Sequence, residues 1–257
     1  MVAENAITLA VRESIATVTI DSPPVNAFTM ANYLRLAEIF EEINGRADIQ
    51  CVVLTASGTK AFCAGLDLHE FLAADVDDDD KRQEIGLRTF AALRACPVPV
   101  IAAVNGPALG AGCVFTALCD IRIASEKATF GLPEINVGRC GGAAHLGRLI
   151  PQGMVRLMFF TGEPISAHEA LRVGLVEQVV PPRRLLSAAY DLAQVISRKS
   201  PLGLRIGKKA LNAVEFVPFD QGYSIEQGFS TDLVHTEDSR EALRAVVERR
   251  APVFIGR

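Results

Sequence analysis

The sequence predicts an α/β fold, in which strands and helices alternate over the first half of the chain and helices dominate the rest. Three observations favour it. Short apolar runs typical of buried strands recur up to residue 124, helical patterns lie between them, and helical patterns past residue 140 are interrupted by only one strand-like run. Alternation of this kind is typical of α/β architectures with a parallel sheet.

The strand candidates begin with segments 7–12 and 15–20, where apolar and polar residues alternate on either side of Glu13 and Ser14. This pattern predicts a β-hairpin. The stretch 22–28 predicts irregular backbone, because its two prolines remove amide donors and fix φ. The further strand candidates are the apolar runs 50–56, 99–104, 120–124 and 175–180.

The first two helices are predicted from local signals. Thr29 is a suitable N-cap for a helix that runs to about Asn44, along which apolar residues recur at helical spacing. The acidic run from Asp75 to Asp80 predicts a solvated loop that leads into a helix over 81–95.

Later helices are predicted to begin at Gly110 and, through a capping box, at Ser166 and Glu169. Four more helical patterns follow one another towards the C-terminus. We therefore expect a core over residues 1–195 and a C-terminal helical region over 196–257.

Composition excludes several classes of protein. Hydrophobic residues make up 49% of the 257, which is enough for a sizeable core, and the net charge of −4 without a long basic cluster excludes a nucleic-acid partner. No apolar run approaches the ~18 residues of a membrane span, so no membrane association is expected. The N-terminal residues lack the pattern of a signal peptide, and the six cysteines form no CxxC pair. Both features favour a cytoplasmic protein with reduced thiols.

Two glycine-rich loops, 60–68 and 104–114, each follow an apolar strand candidate. Ligands bind at the carboxyl ends of parallel strands, so one backbone amide from each loop would form an oxyanion hole. Ordinary tight turns also favour glycine, which leaves a purely structural role open. Cys113, just after the second loop's glycines, is either a small core residue, the favoured interpretation, or a nucleophile activated at a helix start.

Glu134 is the candidate general base. It follows Pro133, whose φ is fixed, and its neighbours are apolar. Partial desolvation there would raise the pKa of the carboxyl towards the range of a general base. The alternative is an exposed or ion-paired loop residue.

In three long segments the chain resembles the crotonase (enoyl-CoA hydratase/isomerase) superfamily: KAFCAGLDL (60–68), VNGPALGAGCVFTALCDIRIAS (104–125) and ATFGLPEINVG (128–138). The resemblance extends from residue 23 to residue 256. It implies a spiral of ββα units, a C-terminal helical trimerisation region, and a homotrimer or a dimer of trimers. It also implies an acyl-CoA substrate, with coenzyme A entering only as part of the thioester and with no other cofactor and no metal.

The resemblance also assigns residues. The backbone amides that hold the thioester oxygen fall on Leu66 and Ala111, and the general base falls on Glu134. Further positions of the two loops and of the irregular segment 22–28 are assigned to substrate binding: Pro24, Val25, Ala64, Asp67, Gly110, Gly112 and Val114. Among them, Asp67 lies beside the oxyanion hole, and a local hydrogen-bonding role is expected for it.

One position departs from the hydratases of this family, which use two glutamates, because Val114 replaces the first of them. Losing such a group typically lowers the rate about 100- to 10,000-fold, so poor hydration is expected. A single base suffices for shifting a double bond.

A second branch of the family, which opens cyclic β-keto acyl-CoA rings, resembles this chain in the segment GGAAHL. There His145 is either a candidate catalytic helper or simply a partly packed helix residue. A non-catalytic acyl-CoA-binding protein is the alternative of another class.

Overall fold

The computed structural model describes residues 6–257. Its nine strands are β1 (Ile7–Arg12), β2 (Ile15–Ile20), β3 (Cys51–Ala56), β4 (Val100–Val104), β5 (Ala108–Leu109), β6 (Ile121–Ser125), β7 (Thr129–Gly131), β8 (Ile165–Ser166) and β9 (Gln178–Val180). Six of them form one sheet in the order β1-β2-β3-β4-β6-β9, and the three short ones form a second sheet in the order β5-β7-β8. The predicted hairpin of β1 and β2 is antiparallel, whereas β2, β3, β4, β6 and β9 run parallel. The predicted α/β class is confirmed.

Eleven α-helices complete the described part of the chain: α1 (Met30–Asn44), α2 (Leu68–Ala73), α3 (Asp79–Arg94), α4 (Ala111–Leu118), α5 (Ala143–Leu146), α6 (Gln152–Thr161), α7 (Ala167–Arg172), α8 (Leu185–Ser197), α9 (Pro201–Val214), α10 (Phe219–Val234) and α11 (Glu237–Val247). Short 3-10 segments lie at Val76–Asp78, Pro133–Val137 and Pro182–Arg184. None of these helices is both long and apolar enough to cross a membrane.

The side chains of Thr29 and Ser166 both cap their predicted helices. The Thr29 side chain accepts a hydrogen bond from the Asn32 amide, and the Ser166 hydroxyl accepts one from the Glu169 amide at 3.2 Å. The Glu169 carboxylate, however, pairs with Arg172 instead of reaching back, so only half of the capping box is present.

Two element boundaries differ from the prediction by two residues or more. Helix α3 begins at Asp79 rather than at residue 81, because Asp79 and Asp80 occupy the first turn, where the helix dipole favours acidic groups, and Asp79 is held by Arg139 at 3.1 Å. The last strand covers only Gln178–Val180 of the apolar run 175–180, because only these residues pair with β6.

The large sheet is covered on both faces, which explains why its strands are continuously apolar. Val52 and Leu54 of β3 face the larger core, which α1, α3 and α4 cover. Their neighbours Cys51 and Val53 face a smaller core that α8 covers. Strand β4 alternates in the same way. The two glycine-rich loops of the predicted site follow the carboxyl ends of β3 and β4.

The C-terminal helices are attached to this sheet through α9. Lys208 is 6% exposed and donates to Asp120 Oδ2 at 2.6 Å and to the Val98 carbonyl at 2.9 Å. Arg205, one turn earlier, donates to the Arg46 carbonyl at 2.6 Å. The division of the chain at residue 195 stays a prediction.

Candidate active site

The two glycine-rich loops that follow β3 and β4 are joined backbone to backbone. The Phe62 amide donates to the Pro107 carbonyl, and the Leu109 amide donates to the Cys63 carbonyl, both at 2.9 Å. The loops therefore lie side by side at the carboxyl edge of the sheet, where the sequence predicts them.

Glycine is required at three places in these loops. A Cβ atom at position 112 would lie 2.4 Å from the Cys63 carbonyl oxygen, and one at position 65 would lie 3.2 Å from the Leu109 carbonyl oxygen. Gly110 has φ of +53°, and a Cβ there would lie 2.9 Å from Oε1 of Glu134. Gly65 and Gly110 thus bring the two loops into contact, and Gly110 meets the Glu134 side chain. Gly112 packs against Cys63 on the side where a side chain would lie, so it can contact a substrate only through its backbone. Its role in substrate binding stays a prediction.

Each of the two predicted oxyanion-hole amides lies next to an amide that is already used. The Asp67 amide donates to the Phe28 carbonyl at 2.9 Å, and the Gly110 amide donates to the Gly131 carbonyl at 3.0 Å. The amides of Leu66 and Ala111 donate no hydrogen bond within residues 6–257. Ala111 is also the first residue of α4, where the helix dipole is positive. Both amides can therefore donate to a ligand.

Glu134 lies in the 3-10 segment Pro133–Val137, whose turn positions its carboxylate against Gly110. The side chain is half-buried, and Oε2 is buried without a hydrogen-bond partner in the described part of the chain. Burial raises the pKa of the Glu134 carboxyl, and a smaller opposing effect comes from a hydrogen bond with its own backbone. Glu134 forms no ion pair with any described residue, so the geometry favours the predicted general base over an ion-paired loop acid.

Val114 is 3% exposed and packs in the core on the first turn of α4. Val114 and Leu132 both pack against Gly142. A Cβ atom added to Gly142 would lie 3.1 Å from Cγ2 of Val114 and 2.6 Å from Cδ2 of Leu132. The position that carries the first glutamate in two-glutamate hydratases is therefore surrounded by apolar groups here.

His145 lies on α5, and its ring meets the Phe90 ring edge-on at 5.5 Å. Burial, and after it the charge of Arg148, lowers the pKa of the His145 imidazole. The ring is therefore neutral at neutral pH, when it can both donate and accept a proton. Its role as a helper stays a prediction.

The remaining predicted substrate-binding residues lie around the first loop. The Ala64 amide donates to the Val25 carbonyl at 3.1 Å, which places the Pro24–Val25 turn beside this loop. Asp67 caps α2 by accepting from the His69 and Glu70 amides, each at 2.9 Å, which is the local role expected of it.

Cys113 is fully buried, and burial, together with the Glu134 charge, raises the pKa of its thiol to about 12. A thiol protonated at neutral pH is a poor nucleophile. Cys113 is thus the small core residue that the sequence favours.

The sequence gives no signal for one polar residue near the site, Tyr33 of α1. By helical spacing it belongs to an apolar stripe, and its ring does pack in the core against Phe28 and Phe115. The helical spacing of apolar residues does not predict where the hydroxyl group of Tyr33 lies.

The α/β fold thus brings a half-buried carboxylate, that of Glu134, against Gly110 of the second loop, next to the free amide of Ala111. The comparisons with known proteins are specific. The family model described as enoyl-CoA hydratase/isomerase matches residues 10–257, so the chain belongs to that family of acyl-CoA enzymes.

Individual relatives agree with this assignment. The chain is 36% identical over 250 residues to a short-chain-enoyl-CoA hydratase of Clostridium acetobutylicum, covering 96% of each chain. It is 38% identical over 222 residues to the (7aS)-7a-methyl-1,5-dioxo-2,3,5,6,7,7a-hexahydro-1H-indene-carboxyl-CoA hydrolase of Mycobacterium tuberculosis, covering 85% of this chain and 89% of that one. The crystal structure of an enoyl-CoA hydratase from Bacillus anthracis superposes with a TM-score of 0.95 at 33% identity, covering 98% of this chain and all of that chain. The predicted crotonase fold and the enzyme class are confirmed.

Proposed function

We propose that this enzyme moves a proton on the acyl group of an acyl-CoA thioester through an enolate, with Glu134 as its single general base. The observation that carries the proposal is Oε2 of Glu134, buried without a partner in the described part of the chain, in a carboxylate that lies against Gly110, the residue before the free Ala111 amide. A buried polar atom without a partner is rare in proteins, and a substrate proton would supply the partner.

The reaction needs two groups of the site. Glu134 takes a proton from a carbon of the acyl chain, and the electron pair moves to the thioester oxygen. The amides of Leu66 and Ala111 donate to that oxygen as it becomes negative, and one such donor typically lowers the barrier by about 3–4 kcal/mol. Return of the proton from Glu134 to a different carbon of the enolate shifts the double bond, with no other reactant consumed.

We do not expect this enzyme to hydrate enoyl-CoA esters efficiently. Adding water to an enoyl-CoA in the two-glutamate manner needs a second acid–base group, and the side chain at the corresponding position is that of Val114, buried among Leu132 and Gly142. Valine cannot move a proton. The loss of such a group lowers the rate about 100- to 10,000-fold.

Opening of a cyclic β-keto acyl-CoA by water is a second candidate. Its supporting observation is His145, neutral and half-buried on the helix that begins next to Val114 and Leu132. The Mycobacterium tuberculosis relative is named for hydrolysis of a dioxo acyl-CoA, which is in keeping with such a reaction. In this reaction water attacks the ring ketone, and the electron pair of the broken carbon–carbon bond again moves onto the thioester as an enolate.

A binding measurement followed by a substrate panel tests the proposal. Coenzyme A esters at about 100 times their dissociation constant should stabilise the fold by about 2.7 kcal/mol. For a chain of this size that stabilisation raises the melting temperature by about 5–10 °C. Esters that raise it are then incubated with the enzyme and analysed by mass spectrometry, where a ring-opening hydrolysis adds the mass of water and an isomerisation adds none. No shift with any ester would contradict the proposal.

We also propose a homotrimer or a dimer of trimers, in which the C-terminal helices contact another copy. Phe216 and Phe219, beside and at the start of α10, are 76% and 89% exposed, and only Gly222 of that helix is buried. Light scattering after gel filtration tests this. A cytoplasmic location is proposed because all six cysteines are unpaired in the structure, and fractionation of the cell tests it.

A further inference from the structure

A cavity of about 350 Å³ lies between α2, the first turn of α3 and the loop that follows the Glu134 segment. Phe71 and Leu72 of α2 give it apolar walls. Its charged lining comes from Asp79 and Arg82 of α3 and from Arg139 of the loop. The cavity therefore combines an apolar surface with two guanidinium groups.

This cavity adjoins both parts of the candidate active site. Helix α2 is capped by Asp67, the residue that follows the free Leu66 amide. The Arg139 amide donates to the Glu134 carbonyl at 2.9 Å, so the loop that lines the cavity is bonded to the residue proposed as the general base. An acyl chain whose thioester lies at the Leu66 amide and whose reacting carbon faces Glu134 can extend along α2 into the cavity.

The two guanidinium groups lie over the same aromatic ring but differ in their partners. The Cζ atoms of Arg139 and Arg82 lie 4.6 and 5.2 Å from the centre of the Phe71 ring. Arg139 donates to both carboxylate oxygens of Asp79. Arg82 is half-buried, and its side chain makes no ion pair or hydrogen bond with any residue from 6 to 257. A guanidinium stacked on a ring keeps its in-plane donors free, so those of Arg82 are available to a ligand.

The other charges of the cavity leave this cation without compensation. Asp79 is neutralised by Arg139. Asp75 is exposed, and its Oδ1 accepts from the Asp77 amide at 3.1 Å, so solvent screens its charge. A half-buried guanidinium with free planar donors fits a carboxylate, which accepts two parallel hydrogen bonds.

We propose that Arg82 determines substrate specificity by binding a carboxylate at the far end of the acyl group. The inference rests on the proposed function and narrows its substrate class to CoA esters of dicarboxylic acids. The chain between thioester and carboxylate would lie along Phe71 and Leu72, which are apolar. An acyl group that ends in a methyl would leave Arg82 half-buried and unpaired, whereas a carboxylate would satisfy it.

The test compares esters of equal chain length that end in a carboxylate or in a methyl: glutaryl- with pentanoyl-CoA, adipoyl- with hexanoyl-CoA, and suberoyl- with octanoyl-CoA. Calorimetry gives their dissociation constants for the wild type, for Arg82→Gln and for the control Lys81→Gln. Lys81 is exposed and does not line the cavity, and its variant loses the same charge one residue away.

We expect the wild type to prefer the carboxylate ester in at least one pair. Arg82→Gln should weaken binding of that ester about tenfold and leave its methyl counterpart within about twofold. Lys81→Gln should leave the ratio of the two constants unchanged, because a general loss of positive charge acts on both esters alike.

Other outcomes separate the inference from the proposed function. Equal affinities within every pair for the wild type, or a preference that Arg82→Gln does not reduce, would overturn the inference and leave the proposed function standing. So would equal weakening of both esters and of free coenzyme A, which would show that Arg82 binds a phosphate of the coenzyme. If no ester bound the wild type, the proposed function itself would fail.

Discussion

Two partly buried carboxylates, Asp120 and Glu134, are held in opposite ways. Asp120 accepts from the Val100 amide at 2.7 Å and from Lys208 at 2.6 Å, and Lys208 is in turn satisfied by the Val98 carbonyl. Glu134 has one oxygen buried without any partner in the described residues. Burying a charge is unfavourable unless it is paired. The difference fits a structural role for Asp120 and the substrate-facing role that we propose for Glu134.

Among variants that keep Glu134, removal of an oxyanion donor should have the largest effect. Ala111→Pro deletes one amide at the first position of α4, where proline is well tolerated in helices. We expect turnover to fall about 100- to 1,000-fold, with the fold preserved. Ala111→Gly keeps the amide and should stay within a few-fold of the wild type in the same steady-state assay. Equal activity in the proline variant would show that this amide does not hold the thioester.

Breaking the paired carboxylate should affect stability instead of chemistry. Lys208→Met leaves Asp120 without its cation, and we expect a loss of about 2–3 kcal/mol in the free energy of unfolding, somewhat less than for a fully buried pair. The neighbouring exposed Lys209, whose ammonium lies 5.7 Å from the centre of the Phe229 ring, provides the control Lys209→Met. Urea unfolding measures both variants. A stable Lys208→Met protein with impaired turnover would reverse the roles assigned to the two carboxylates.

A second acid at position 114 tests whether one carboxylate limits the chemistry. Wild-type hydration of crotonyl-CoA should be slow, and Val114→Glu should raise it about tenfold, short of the ~100-fold or more that a well-placed group gives. The gain is bounded because the new carboxylate enters apolar surroundings formed by Leu132 and Gly142.

The matched variant for that test is Val114→Gln, which has the same shape but no ionisable group and should give no gain. Absorbance of the enoyl group follows the reaction. Wild-type hydration as fast as in an efficient hydratase would rule out the single-glutamate mechanism.

The smallest effect concerns stability and pH. Because the folded-state pKa of Glu134 is raised above 4.5, its contribution to stability is fully present below that pH and is lost as the pH rises through the raised pKa. Glu134→Gln should therefore unfold at a slightly higher temperature than the wild type at neutral pH, and this difference should vanish below pH 4.5. The exposed Glu163→Gln serves as the control in calorimetry at both pH values. A destabilised glutamine variant at neutral pH would reveal a partner for the carboxylate.

Local signals in the sequence were sufficient for much of the fold. The hairpin around Glu13 and Ser14, the cap at Thr29 and the cap at Ser166 each depend on residues close in sequence, and each is confirmed. The start of α3 depends on Asp79 meeting Arg139, sixty residues away, and could not be found locally. Strands β5, β7 and β8 have two or three residues each, too few for a period of two to be visible.

The sequence predicts some residues of the candidate site better than others. Gly110 and Glu134 belong to motifs that predict a loop and a base, and the structure brings the two together. The spacing of Tyr33 predicts a core residue, and the packed structure adds that its ring meets that of Phe28 beside the first loop. A polar atom at the end of an apolar ring leaves no mark on hydrophobic periodicity.

The central claim is that Glu134 exchanges a proton with a carbon atom of the acyl group, and hydrogen exchange measures this step without knowledge of the final product. A saturated ester such as butanoyl-CoA is incubated with enzyme in deuterium oxide, and its mass is followed by mass spectrometry. We predict that the wild type introduces deuterium next to the thioester and that Glu134→Gln does so about 100- to 10,000-fold more slowly, while still binding the ester. Exchange at the wild-type rate in the Glu134→Gln protein would show that another group moves the proton.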